Sequence, residues 1–176
     1  LESADLRAIN TAALRTMTSD QLDALTGTQM AQLTTGQVAA LTTAQLSNLG
    51  SDDLNALSSA QFSALSSTQV ASLTSDQIGT LQSDDVRAIS SAGLRAWSTD
   101  QLAALSETNM GALTTAQVAS LTTAQVSSLV TDDLNALGTA QFAALTTAQV
   151  TSLTGAQVGG LVSDDLRAMT TAQFGA

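Results

Sequence analysis

Leu113-Thr114-Thr115-Ala116-Gln117-Val118-Ala119-Ser120 carries the pattern that decides the fold, because the same eight-residue unit fills the chain. Counted from Leu1, the 176 residues divide into 22 octads with no insertion or deletion. Position 1 is Leu in 17 octads, with Ile9, Met17, Ile89, Trp97 and Met169 in the rest, and position 6 is apolar throughout, from Leu6 to Phe174. Position 3 is Ser or Thr in 19 octads, position 5 is Gln in 14 and Asp in 5, and position 8 is Ala, Ser, Thr or Gly in 20.

A continuous α-helix cannot serve this pattern. Eight residues at about 100° each overshoot two full turns by about 80°, so an apolar stripe would wind around the helix. The helix must therefore break once per octad, and the spacing says where. Thr114 at position 2 and Gln117 at position 5 form a capping box, and the apolar residues at positions 1 and 6 fall at N′ and N4, where a hydrophobic staple closes the same helix start. Each octad predicts a helix of about six residues, over positions 3 to 8, followed by a reversal around the next Leu. A helix that short does not persist alone in water, so it must stack on its neighbours, and small residues at position 8 allow close approach. The expected fold is an all-α solenoid of 22 short helices over residues 1–176. A β-solenoid is the alternative, opposed by the opposite parity of positions 1 and 6 and by the abundance of Gln, Ala and Leu.

A longer period overlies the octads. Residues 1–80 and 81–160 agree at 47 of 80 positions, and 161–176 begin a third copy. Asp at position 5 marks odd-numbered octads, and Phe62, Phe142 and Phe174 sit in the octads that follow three of these. That alternation suggests a helical hairpin of two octads as the packing layer.

Composition restricts the chemistry. His, Cys, Pro, Tyr and Lys are absent, which removes imidazole and thiol catalysts, His or Cys metal sites and disulfides. The net charge of −10 opposes binding to nucleic acid and anionic membrane surfaces. Periodic carboxylates are not the single irregular constellation of a catalytic site, so neither enzyme activity nor a cofactor is expected.

The residues singled out are acidic pairs and arginines. Asp52-Asp53, Asp84-Asp85, Asp132-Asp133 and Asp164-Asp165 are surface-contact or weak calcium candidates, although carboxylates in a first helical turn also complement the helix dipole. These octads lack a hydroxyl at position 2, so Ser83, Thr131 and Ser163 are the expected N-caps. All five arginines stand at position 7; Arg87 and Arg167 are placed to pair with Asp84 and Asp164 at i, i+3 on a solvated face, with a ligand-binding row as the other reading. Trp97 replaces Leu in the core, or offers an aromatic contact. Threonine rows at positions 2 and 3 also fit an ice-binding array, but capping already accounts for them.

Leu113 through Ala119 resembles the opening of a TAL-effector repeat. The resemblance covers one helix start; the repeat length of about 34 residues, the proline, the base-reading loop and the basic charge of that family are missing, so DNA recognition does not follow. Ala40-Leu41-Thr42-Thr43-Ala44-Gln45-Leu46 and Ala144-Leu145-Thr146-Thr147-Ala148-Gln149-Val150 resemble octapeptide arrays in very large bacterial exoproteins and RTX-type adhesins. That resemblance implies a structural or interaction module, a stalk, spacer or scaffold, in a secreted or surface protein, with a protein or surface ligand as partner. The Gly-Gly-x-Gly-x-Asp calcium repeat of RTX segments is absent. An intracellular, cytoplasmic scaffold that binds a protein or peptide is the alternative function, and a calcium- or ice-binding array the third. With no apolar run of about 18 residues and no N-terminal signal in these residues, membrane insertion is not expected of this segment. Oligomeric state is left open by the sequence.

Overall fold

A computed structural model describes residues 2–175. It contains twenty-two α-helices of four to six residues, one per octad, numbered in chain order from α1 (Ser3–Ala8) to α22 (Thr171–Phe174), and no strand among the described residues. The all-α solenoid is thus the observed fold.

The octad α15 (Thr115–Ser120) shows how local chemistry sets each helix. Thr114 is the N-cap, with φ −74° and ψ 157°; its hydroxyl accepts from the Gln117 N–H at 3.2 Å, and the Gln117 Oε1 accepts from the Thr114 N–H at 2.7 Å. The helix stops at Leu121, whose extended backbone (φ −56°, ψ 147°) follows a last bond from its N–H to the Val118 carbonyl. Two extended residues, positions 1 and 2, therefore make the whole reversal. No described residue has a positive φ and no peptide bond is cis, which explains how the chain turns so often without proline and without a glycine in each turn.

Helices pack on the third helix along the chain. α15 lies against α12 (Ser91–Arg95) and α18 (Thr139–Ala144), and α2 (Thr11–Thr16) against α5 (Thr35–Ala40). A hairpin layer of two octads, as the odd and even octads suggested, is not what forms. With short helices turning at each octad, the surface that covers a helix belongs to the next turn of the superhelix, three to four octads away. Positions 1 and 6 fill the axis: Leu113 is 3% exposed, Val118 is fully buried, and one apolar cluster runs from Leu6 to Leu161. Small residues do permit close approach: a Cβ on Gly160, at position 8, would stand 2.5 Å from the Thr131 Cγ2, and one on Gly111, at position 7, would stand 2.7 Å from the Ala136 carbonyl oxygen.

Candidate functional site

The chemistry of this molecule is concentrated in the seams between turns. The Gln117 side chain does more than close its own cap, since its Nε2 donates to the carbonyls of Val86 and Ile89, both at 2.8 Å. From Gln37 onward every Gln at position 5 donates to the position 1 carbonyl 28 residues earlier, as Gln45 to Met17 at 2.8 Å, Gln77 to Leu49 at 2.8 Å and Gln149 to Leu121 at 2.7 Å. Most also reach the position 6 carbonyl 31 residues earlier, such as Leu14, Leu46 and Val118. The rung is buried: Gln45, Gln117 and Gln125 are 2–4% exposed. The step from the amide back to the position 1 carbonyl is three and a half octads, which sets the turn of the superhelix.

One amide thus satisfies an orphan donor at its own helix start and two orphan acceptors at helix ends of the previous turn. Sequence reasoning found the capping half and missed the bridging half. The missed signal lies in residue choice: a capping box accepts Glu as readily as Gln, yet no position 5 holds Glu. A carboxylate can close the cap but cannot donate to the carbonyls behind it.

A second set of bonds runs forward. At position 7, Arg7 Nε donates to the Gln32 carbonyl at 3.2 Å, Arg87 Nε to Ala112 at 3.1 Å, Asn55 Nδ2 to Thr80 at 2.9 Å and Asn135 Nδ2 to Gly160 at 3.1 Å, all 25 residues ahead. Arg87 is therefore a C-terminal cap for a helix of the next turn rather than the partner of Asp84. The planar Nε donor reaches a carbonyl with no other side-chain donor, which outweighs a solvated ion pair. Arg167 does pair with Asp164, at 3.3 Å, both side chains being largely exposed.

Trp97 is a core residue, 3% exposed, and its indole Nε1 donates to the Val70 carbonyl at 2.9 Å. By register that carbonyl is the position 6 acceptor for Gln101, which keeps its position 1 bond to Leu73 and takes the Ala71 carbonyl in place of Val70. The tryptophan has taken over half of a rung.

The acidic pairs come apart in the structure. Asp52, Asp84, Asp132 and Asp164, at position 4, are exposed, whereas Asp85, Asp133 and Asp165, at position 5, turn into the seam at 3–7% exposure, and Asp53 is half-buried. The two carboxylates of a pair do not converge, and no group of three or more metal-ligating side chains occurs among the described residues. The expected N-cap shift does not occur either: Gln82, Val130 and Val162 hold the N-cap position, without a side-chain cap, ahead of α11 (Ser83–Ala88), α17 (Thr131–Asn135) and α21 (Ser163–Ala168). The octad register dictated by the core prevails over the better capping residue one place on. The shorter Asp keeps part of the Gln function, its carboxylate accepting from the N–H of Gln82 in the case of Asp85 and of Val130 in that of Asp133.

Burial raises the pKa of these seam carboxyls. Asp85 is pushed up to about 6 by desolvation, opposed by the Gln82 N–H and reinforced by Asp84. Asp133 is raised by desolvation, opposed by the Val130 N–H, with Glu107 and Asp132 adding to the rise; Asp165 is raised by desolvation and Asp164, and Asp53 by desolvation, Asp23 and Asp52. Influences such as Asp23 on Asp53 cross from one turn to the next. Asp20, Asp52, Asp76, Asp100, Asp132 and Asp164, all at position 4 and all exposed, follow one another at three or four octads, close to the spacing of the rungs.

The ALTTAQ repeat family matches residues 1–35, 47–83, 78–115 and 128–163, more than half of the chain. The chain belongs to the ALTTAQ repeat family. The six letters of that name stand at Ala40–Gln45, Ala112–Gln117 and Ala144–Gln149, and in ALTTAQ terms the structure gives four of the six a task. Leu enters the core, the first Thr caps, the second Thr opens the helix, and Gln ties the helix to the preceding turn. No curated protein matches the chain. No helix among the described residues is long and apolar enough to cross a membrane.

Proposed function

We propose that this ALTTAQ array is a non-catalytic spacer or contact module, a stalk or scaffold, of a larger bacterial secreted or surface protein. The observation that supports this reading is the Gln rung: each turn is bonded to the turns before and after it by the same buried amide, so length grows with repeat number while the cross-section stays constant. Such a rod separates whatever lies at its two ends. Its position 4 carboxylates remain solvated and resist lateral association, and a protein or surface ligand is the partner that the reading implies.

Two measurements test it. Small-angle scattering of the chain, and of a chain lacking residues 81–160, should show maximum dimension falling in proportion to length with an unchanged cross-sectional radius; a collapse toward a sphere refutes the rod. Antibody against this chain should label intact cells of the source bacterium, and its epitope should be lost on protease shaving. Signal appearing only after lysis would assign the array to an intracellular scaffold instead.

A further inference from the structure

Two buried carboxylates of the seam each have an oxygen without a hydrogen-bond partner. At position 5, Asp85 and Asp165 are 4% and 3% exposed, and the Oδ2 of each has no hydrogen-bond partner. By the register that the Gln rungs obey, the carbonyls of Leu54 and Leu57 stand behind Asp85, and those of Leu134 and Leu137 behind Asp165. Between the two leucines in each case is an asparagine, Asn55 or Asn135. Each asparagine has committed its Nδ2 to the turn ahead. Asn135 Oδ1 accepts from the Val162 N–H at 3.2 Å. The equivalent Gln82 N–H goes to Asp85, and Asn55 Oδ1 is left buried without a partner. The Asn-to-Asp arrangement occurs twice, once per long repeat, in an array where most other rungs are closed by an amide.

The array also shows what completes such a rung. Asn109, likewise at position 5 and 4% exposed, donates its Nδ2 to the Leu81 carbonyl 28 residues back at 2.6 Å and accepts from the Ser83 hydroxyl at 2.8 Å. A side chain of the size of Asp spans the seam when it carries a hydrogen.

We propose that Asp85 and Asp165 are proton-binding rungs, each taking up a proton on Oδ2 in mild acid and donating it across the seam to an oxygen of the preceding turn, so that the superhelix tightens at these two places. Ionised, the same carboxylates leave buried acceptors unmatched and the seam is weaker. The surroundings favour the proton. α11 packs on α8 (Ser59–Ser63), which has no titratable residue, and on α14 (Glu107–Ala112), which carries only Glu107. On α11 itself are Asp84 and Arg87, the latter bonded to Ala112, and Asn55 belongs to α7 (Ser51–Asn55) beside Asp52 and Asp53. α21 packs on α18, which has no titratable residue, and carries Asp164 paired with Arg167; Asn135 belongs to α17, with Asp132 and Asp133. Both sites are thus acid-rich, and the arginine on each of their helices is already engaged. The carboxyl pKa is raised at both, to about 6 at Asp85. A raised native pKa means that the stabilisation is complete below the ordinary aspartate range and is lost as pH climbs through about 6.

Thermal unfolding of the full chain at pH 5 and pH 8 tests this, with two double variants of equal charge. The wild type should melt several degrees higher at pH 5. Asp85→Asn with Asp165→Asn should melt at pH 8 above the wild type and lose most of the difference between the two pH values. Asp84→Asn with Asp164→Asn, changed at the exposed neighbours, should keep it. Identical pH dependence in both variants would assign the effect to net charge and overturn the proposal. So would millimolar calcium raising the wild-type melting temperature at pH 8 but not that of Asp85→Asn with Asp165→Asn, because the seam would then hold a cation. If the seam variant does not fold, carboxyl-carbon NMR titration of the wild type decides: inflections of Asp85 and Asp165 near pH 4 exclude proton uptake in mild acid.

Discussion

Replacing Gln117 by Glu isolates the bridging function of the rung, because a glutamate retains the capping half. Its carboxylate still accepts from the Thr114 N–H, as Gln117 Oε1 does at 2.7 Å, and the Thr114 hydroxyl still caps the Gln117 backbone. What disappears is the pair of bonds from Nε2 to Val86 and Ile89, at 2.8 Å each. Two neutral hydrogen bonds are worth about 1 kcal/mol apiece, and an uncompensated charge at a site 3% exposed adds to the loss, bringing it to about 3–5 kcal/mol at pH 8. At pH 5 a glutamate facing two carbonyls takes up a proton and the loss shrinks to about 1–2 kcal/mol. Thr114→Ala, which removes a cap and leaves the bridge, should cost about 1 kcal/mol at both pH values. Urea unfolding followed by far-ultraviolet circular dichroism measures all three, and hydrogen exchange locates the damage, expected at the end of α11, whose Val86 and Ile89 carbonyls lose their donor, and at α15. If Gln117→Glu at pH 8 is no worse than Thr114→Ala, position 5 is a capping position only and the inter-turn rung does not hold the superhelix together.

Leu113→Asp with Val118→Asp should strip exchange protection from α12 and α18, the helices packed on α15, before it affects the sequence neighbours α14 and α16 (Thr123–Ser128); loss confined to residues 113–120 would refute a shared core. Gly111→Ala should destabilise by about 1–3 kcal/mol, since its Cβ meets the Ala136 carbonyl at 2.7 Å, whereas Gly155→Ala, with open space around it at the start of α20 (Gly155–Gly160), should stabilise by about 0.4–1 kcal/mol; chemical unfolding of the pair gives opposite signs if the seams are packed as described. Trp97→Phe keeps the apolar filling and removes the bond to Val70, a loss of about 1 kcal/mol or somewhat more, and the native emission of the single tryptophan should be blue-shifted and move to the red on unfolding.

The eight-residue period, the helix starts, the extended break and the apolar axis were legible in the amino-acid sequence, because each is a local matter. A hydroxyl at position 2, an acceptor three residues on and a staple at positions 1 and 6 act within one octad, so Thr114, Gln117, Leu113 and Val118 state their own helix. The core place of Trp97 was legible for the same reason, as a substitution within the register. The acidic pairs were read as a unit because they are adjacent in the chain, but a helix sends neighbouring side chains about 100° apart, so Asp84 meets water and Asp85 the seam. Where the next turn lies was decided by tertiary structure alone. Three and a half octads per turn follows from how 22 short rods pack around a thin axis, and only once Val86, Ile89 and Gln117 are adjacent does the Nε2 of Gln117 have anything to donate to. That is also why Arg87 forsakes Asp84 for the Ala112 carbonyl in the turn ahead, and why Ser83 does not become a cap. The single octad carries the chemistry of a short helix, but the bonds that make many of them one body exist only between octads that the sequence does not show to be neighbours.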